Sequence, residues 1–250
     1  MPWLSPLRDV DNNSQVSTDS GMKSSAVSPS DSSSLNLPHR PFVVSVEGNI
    51  GSGKTTLMQY FERYDCVEAV PEPIDKWTNL KGHNALGNLY MDANRWSFSF
   101  NTYASLTRCQ MHETKTNKSV VLLERSLYST RYCFVENSYQ SGDLHEMEYE
   151  ILTRWFNYLV KHEHLPIDLI VYLKAEPVKC YERLRQRHRR EEVSVPISLI
   201  EDLHRFHECW LIEKKYPVPA PVLILDANLD RASMQSLFDE HKSKILCGQI

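Results

Sequence analysis

Gly48, Gly53, Lys54 and Thr55 stand in "GNIGSGKT", with four residues between the two glycines, between an apolar run and a helix-like one. That is the spacing of a phosphate-binding loop in its strand-loop-helix setting. Glycines let the backbone turn around an anion, so that its N–H groups and the positive end of the next helix face phosphate oxygens. Lys54 reaches the β- and γ-phosphates, and the Thr55 hydroxyl is placed for Mg²⁺. Gly48, Asn49, Ile50, Gly51, Ser52, Gly53, Lys54, Thr55 and Thr56 are therefore expected to hold a nucleoside triphosphate, which leaves the phosphoryl acceptor to be found.

Four further stretches offer chemistry. "VPEPIDKW" places Glu72 and Trp77 just past an apolar run, a carboxylate able to take a proton from an attacking hydroxyl and an aromatic wall. "VVLLERS" ends a buried run in Glu124, Arg125 and Ser126, charges that need a ligand, a metal or each other. Glu124 is read as a Mg²⁺ ligand or proton acceptor, and Arg125 as a partner of Glu72 or of the reacting oxygen. "YERLRQRHRREE" crowds Arg183, Arg185, Arg187, Arg189 and Arg190 at a predicted helix end, as suits a lid that neutralises triphosphate charge. A nuclear-import or nucleic-acid patch and a solvated helix face are competing readings. In "NRWSFSFNTYASLTRCQ", Asn101, Ala104 and Arg108 share one helix face beside an aromatic stripe of Trp96, Phe100 and Tyr103, as if lining a pocket with base-reading groups.

The elements that must position these residues alternate. Apolar runs at "FVVSV", "CVEAV", "SVVLLE", "DLIVYL" and "PVLILD" are each followed by an amphipathic or polar stretch. Continuous apolar runs predict strands buried on both faces of a parallel sheet covered by helices, one α/β domain over residues 39–250. Residues 1–38, rich in Ser, Asp, Asn and Pro, cannot bury enough apolar surface to offset their ordering entropy and are expected to be a disordered tail. The tail carries more Asp than Arg and Lys, which disfavours mitochondrial import and leaves cytosol or nucleus as the expected compartment. Six cysteines without a C-x-x-C pair read as thiols of an intracellular protein. A net charge of -4 supplies no electrostatic drive toward nucleic acid or an anionic membrane, and no apolar stretch approaches the roughly 20 residues of a membrane span.

The ordered combination of "GNIGSGKTT", "EPIDKW", "ERSLYSTRYCFVEN", "YERLRQRHRREE" and "LHRFHECWL" resembles the deoxyribonucleoside kinases, the family that includes the insect multisubstrate enzyme, mitochondrial-type thymidine kinase and the deoxycytidine and deoxyguanosine kinases. The resemblance runs from Arg40 to about Leu229. It implies ATP-dependent 5′-phosphorylation of deoxyribonucleosides with Mg²⁺, by a homodimer packed through helices. It further implies Glu72 as base for the 5′-hydroxyl with Arg125 beside it, Tyr90 and Glu192 on the 3′-hydroxyl, and Trp77 and Phe134 around the base. Thr55 and Glu124 would meet Mg²⁺, and Arg185, Arg187 and Arg189 would grip ATP from the lid.

The chain departs from that pattern where the base is read. Asn101 stands where the family usually has glutamine, so its amide reaches roughly 1.5 Å less, about one bond along the chain. Arg108 resembles the purine-accepting branches, which pair it with an aspartate; here the matching residue is Thr130, and Ala104 leaves room. A broad pocket with enhanced purine acceptance is the expectation, a thymidine- or deoxycytidine-preferring one the alternative. A nucleoside monophosphate kinase would need a basic residue before the Glu-Pro pair, where Pro71 stands. A regulatory GTPase would need Asp-x-x-Gly, yet no Asp lies three residues before any of the eight glycines.

Overall fold

The computed structural model describes residues 40–248. The reading of residues 1–38 as a disordered tail lies outside the described residues. In chain order the elements are β1 (Phe42–Gly48), α1 (Lys54–Glu62), β2 (Val67–Val70), α2 (Ile74–Thr78), α3 (Ala85–Met91), α4 (Ala93–Met111), β3 (Val120–Glu124), α5 (Leu127–Ser129), α6 (Glu136–Gln140), α7 (Glu146–His162), β4 (Leu169–Lys174), α8 (Pro177–Arg187), α9 (Ile197–His207), β5 (Val222–Asp226) and α10 (Arg231–Ile245). A π-helical turn, Thr130–Val135, joins α5 to α6, another, Glu208–Ile212, follows α9, and a 3₁₀ turn spans Arg190–Glu192.

All five expected strands form, in one parallel sheet of order β2-β3-β1-β4-β5. Every carboxyl end therefore points to the same edge. Chain direction across the sheet reverses at β1, which lies between β3 and β4, and a crevice opens beyond the strand ends at such a switch point. Registers align Val46 with Glu124 and Val70 with Leu123, so the loop after β1, Glu72 after β2 and Arg125 after β3 emerge side by side.

Burial on both faces holds for β1, β3 and β4, but not for the edges. In β5 only Leu223 and Leu225 are buried, because this last strand has a neighbour on one side and its Ile224 faces solvent. The main core packs Val44, Val46, Leu122, Ile170 and Leu173 of the central strands against Leu57 and Phe61 of α1, Leu203 and Phe206 of α9 and Phe238 of α10.

The long helix α4 starts where the Asp92 side chain accepts from Arg95 N–H at 3.1 Å, and it runs through nineteen residues without Gly or Pro. Its buried face includes Ser97, Asn101, Ser105 and Arg108 among the apolar residues. A helix face this polar is lining a site rather than a dry core.

Candidate active site

The loop after β1 is held by close backbone approaches. A Cβ on Gly48 would lie 2.7 Å from the Leu173 carbonyl oxygen, and one on Gly51 2.3 Å from the Cys180 carbonyl oxygen, so β4 and α8 pack where no side chain fits. Asn49 fastens the loop to α9, its Nδ2 donating to Ile200 C=O at 2.7 Å while its Oδ1 accepts from Ile50 N–H. Helix α1 has no side-chain cap and no acidic residue in its first turn. Its first backbone bond is Leu57 N–H to Gly53 C=O, so the N–H groups of Lys54, Thr55 and Thr56 have no helical acceptor, an arrangement that suits phosphate. Lys54 Nζ donates to Asn49 C=O at 2.8 Å, and burial, then Arg125, lowers its pKa to about 8.

Thr55 Oγ1 donates to Glu124 Oε1 at 3.2 Å. One hydroxyl and one carboxylate are hard oxygen donors that fit Mg²⁺, which completes its shell with water and phosphate. Among the described residues no group of three or more His, Cys, Asp or Glu forms an all-protein metal cage.

A cleft of about 420 Å³ opens beside the loop, within the usual range for a small-molecule site. It brings together Ile50, Gly51, Lys54, Thr55, Glu72, Trp77, Tyr90, Asn101, Ala104, Arg108, Glu124, Arg125, Thr130, Phe134, Arg187, Arg189 and Glu192. Trp77 is set by its Nε1 donating to Thr107 Oγ1 at 3.0 Å and by an edge-on contact with Phe100. Thr130 and Phe134 reach the cleft from the π-helical turn, where an extra residue per turn re-aims side chains.

Glu72 is surrounded by positive charge. Burial alone would raise its pKa, but Arg125, Arg108, Lys54 and Arg189 together hold it below the ordinary glutamate range. Arg125 Nε lies 3.2 Å from Glu72 Oε1. Its backbone sits at φ 67, a costly region for a non-glycine residue, pinned by its N–H donating to Val46 C=O at 3.0 Å. Tyr90 faces the same anions, and burial, then Glu192 and Glu72, push its phenol above the usual value.

Two expectations about the arginine run are corrected by the geometry, and Arg108 and Asn101, both in the cleft as expected, have partners the sequence did not announce. Arg108, with Thr130 standing where an aspartate would pair it, instead donates through Nη2 to Glu72 Oε1 at 2.5 Å. The Asn101 amide is half committed, its Nδ2 donating to Ser97 C=O at 2.9 Å one turn back. The arginine run is not one helix end. Helix α8 stops at Arg187, His188 takes φ 51, and Arg187 and Arg189 fold back onto buried Glu192 at 2.6 and 2.9 Å. Arg185 does not join them: it donates to Val193 C=O at 2.6 Å on the exposed side, and Arg183 turns to the Ala227 and Leu229 carbonyls.

Thr56 opens instead onto a second cavity of about 550 Å³, shared with Ser52, Gly53, Lys179, Arg183, Asn228 and Arg231. Of this wall, sequence reasoning named Ser52, Gly53, Thr56 and Arg183 and missed Lys179, Asn228 and Arg231, which carry no motif. It also missed Glu47, a fully buried carboxylate on β1 that accepts from Ser45 Oγ at 2.8 Å and Ser126 Oγ at 2.6 Å and so braces the turn after β3. A lone charge inside the run "FVVSVEG" was the available signal.

A family model described as deoxynucleoside kinase matches residues 44–247. Thymidine kinase 2, mitochondrial, of Homo sapiens is 43% identical over 205 residues, covering 82% of this chain and 77% of that protein. Deoxycytidine kinase of Homo sapiens is 34% identical over 231 residues, covering 80% of this chain and 89% of that protein. Deoxyguanosine kinase, mitochondrial, of Xenopus laevis is 31% identical over 231 residues, with 81% and 87% covered. The matched span takes in the loop after β1, Glu72, Glu124 and the arginine run after β4, and with it this chain belongs to the deoxynucleoside kinase family.

Proposed function

We propose that the protein transfers the γ-phosphoryl group of ATP to the 5′-oxygen of deoxyribonucleosides, with a pocket broad enough to take purines as well as pyrimidines. The observation that carries the reading is a half-buried Glu72, held ionised by the arginines and Lys54 around it and facing the same cleft as the phosphate loop. A carboxylate there suits an uncharged acceptor hydroxyl; an acceptor phosphate would be repelled by it.

The acceptor base enters between Trp77 and Phe134, beside Asn101, Ala104, Arg108 and Thr130, and Tyr90 and Glu192 take the 3′-hydroxyl. Glu72 receives the 5′-hydroxyl proton as the 5′-oxygen bonds to the γ-phosphorus and the bond from that phosphorus to the β,γ-bridging oxygen breaks, releasing ADP. Lys54 leaves the Asn49 carbonyl for the phosphates, and Arg187 and Arg189 close on the developing charge. Thr55 and Glu124 would hold Mg²⁺, which supplies charge neutralisation at the β- and γ-oxygens. The second cavity, across the loop from the acceptor cleft, suits the nucleoside end of ATP. Purine acceptance is supported by Arg108 and by the small Ala104 side chain.

The working form is a homodimer, paired through an exposed apolar stripe on α7. No helix among the described residues is long and apolar enough to cross a membrane, so the stripe is not part of a span.

The test is kcat/KM for thymidine, deoxycytidine, deoxyadenosine and deoxyguanosine with ATP and Mg²⁺, for the native protein and Glu72→Gln. Purines are expected to match or exceed pyrimidines. Glu72→Gln should cut kcat by about 10²–10⁴-fold with little change in nucleoside affinity. Near-normal turnover would move the base assignment to Glu124, and a thymidine lead of orders of magnitude would sink the purine reading.

A further inference from the structure

Arg108 and Arg125 both meet Glu72 and the Phe134 ring, and Arg108 alone of the two is hydrogen-bonded to the carboxylate. Its Nη2 donates to Glu72 Oε1 at 2.5 Å and its Nη1 to Ser126 C=O at 3.2 Å, while its guanidinium carbon lies 5.3 Å from the Trp77 ring centre and 5.8 Å from that of Phe134. The charge that holds Glu72 thus sits on the floor of the aromatic slot assigned to the base. Its Nε is buried and has no hydrogen-bond partner.

The two arginines on Glu72 Oε1 are not equivalent. Arg125 approaches Oε1 at 3.2 Å, but its Nε has no hydrogen-bond partner, so the hydrogen bond on that oxygen comes from Arg108. Arg108 hangs from α4 on a long side chain, and the residue across from it, Thr130, is a hydroxyl whose buried Oγ1 is also unpartnered. Until a base arrives, Glu72 Oε1 and the Ser126 carbonyl are the hydrogen-bond acceptors of the guanidinium among the described residues. Guanine presents O6 and N7 as adjacent acceptors, a two-pronged match for a guanidinium fork; thymine presents a single acceptor, O4, on that edge. A guanidinium shared with the base releases an oxygen of the carboxylate that must accept the 5′-proton.

We propose that Arg108 couples base identity to the readiness of Glu72: a base with a paired acceptor edge draws the guanidinium off Glu72 Oε1, and a base without one leaves it latched there. The coupling rests on the reading of Glu72 as the group that receives the 5′-hydroxyl proton. It makes Arg108 a positioning residue for catalysis as well as a contact for the base, so base identity acts on the chemical step and not only on binding.

Single-turnover phosphorylation at saturating nucleoside, with ATP and Mg²⁺, separates the two effects. The native protein is expected to phosphorylate bound deoxyguanosine several-fold faster than bound thymidine. In Arg108→Met the latch is gone, so the thymidine rate rises to meet the deoxyguanosine rate, while KM for deoxyguanosine rises by about tenfold or more. An ordinary structural or recognition role would not speed thymidine. A thymidine rate that stays or falls in folded Arg108→Met overturns the coupling, as do equal native rates. The native protein alone also decides it through 7-deaza-2′-deoxyguanosine, which keeps O6 but has carbon at position 7: its bound rate should drop toward that of thymidine, and a rate equal to deoxyguanosine overturns the proposal. If no deoxynucleoside is phosphorylated under any condition, the reading of the site itself fails; activity without these rate differences removes only the coupling.

Discussion

The charge on Lys54, the residue proposed to grip the donor phosphates, is one that its surroundings weaken. Burial, then Arg125, brings its pKa down to about 8, with Glu124 and Glu72 opposing the fall. A bound triphosphate favours the ammonium form, so binding requires the proton. Below pH 8 the free protein already carries it; above pH 8 binding must recruit it, and affinity falls by up to tenfold per pH unit. The dissociation constant of a non-hydrolysable ATP analogue should therefore weaken about tenfold between pH 7 and pH 9. In Lys54→Arg, where the charge persists, it should stay flat over that range. A flat native profile by titration calorimetry would show that Lys54 is not the residue gripping the donor. The residue types at this end of the site were legible because the phosphate loop is a local pattern, complete within eight residues. Arg108 shows the opposite case. Its partner Glu72 lies 36 positions away, and only the packing of α4 across the sheet edge selects that carboxylate over the Thr130 hydroxyl.

Helix α3 and the Arg190–Glu192 turn, the proposed lid, meet at Asn84, where one side chain serves two elements. Its Oδ1 accepts from Gly87 N–H at 2.7 Å and caps α3, while its Nδ2 donates to Glu191 Oε1 at 3.1 Å in the lid turn. The two roles separate by substitution. Asn84→Asp keeps a good cap but sets a carboxylate against Glu191, so thermal stability should hold while the lid is pushed off and the Michaelis constant for ATP rises several-fold. Asn84→Ala loses the cap as well, at about 1 kcal/mol, roughly 2–4 °C in Tm for a chain of this size. Equal ATP constants in all three proteins would mean that this contact does not hold the lid. Nothing in "YERLRQRHRREE" announces the break at His188, since it contains neither Gly nor Pro. The helix ends there because Glu192 is buried against Arg187 and Arg189, and Glu191 is held by Asn84. Strands were easier to read, as uninterrupted apolar runs bounded by polar stretches. Which of them lie at the sheet edge depends on pairing order, and so the exposed face of β5 was not foreseen.

At the scale of the molecule, one surface lacks an internal explanation. On α7, Met147 (72% exposed), Ile151 (45%), Trp155 (45%) and Tyr158 (53%) follow one another at helical spacing, and Leu106 (50%) lies on α4, which packs against α7. Trp155 and Tyr158 are stacked, so the stripe is a preorganised aromatic face, at little further cost in side-chain entropy on contact. A helix face of this kind pairs readily with its own copy about a two-fold axis, each stripe meeting its equivalent. Helix α4 carries Asn101, Ala104 and Arg108 on its buried face, so a partner pressing on the α4–α7 pair would stiffen the wall proposed to read the base. Analytical ultracentrifugation of the native protein should give twice the 29.0 kDa chain mass at micromolar concentration, and Trp155→Glu, which places a desolvated charge at the centre of the stripe, should shift it to the monomer. The monomer should keep its fold, because Trp155 lies outside the core, yet lose discrimination among bases as α4 loosens. A native protein that sediments as a monomer would leave the stripe without this role and return the rigidity of the base pocket to the contacts within one chain.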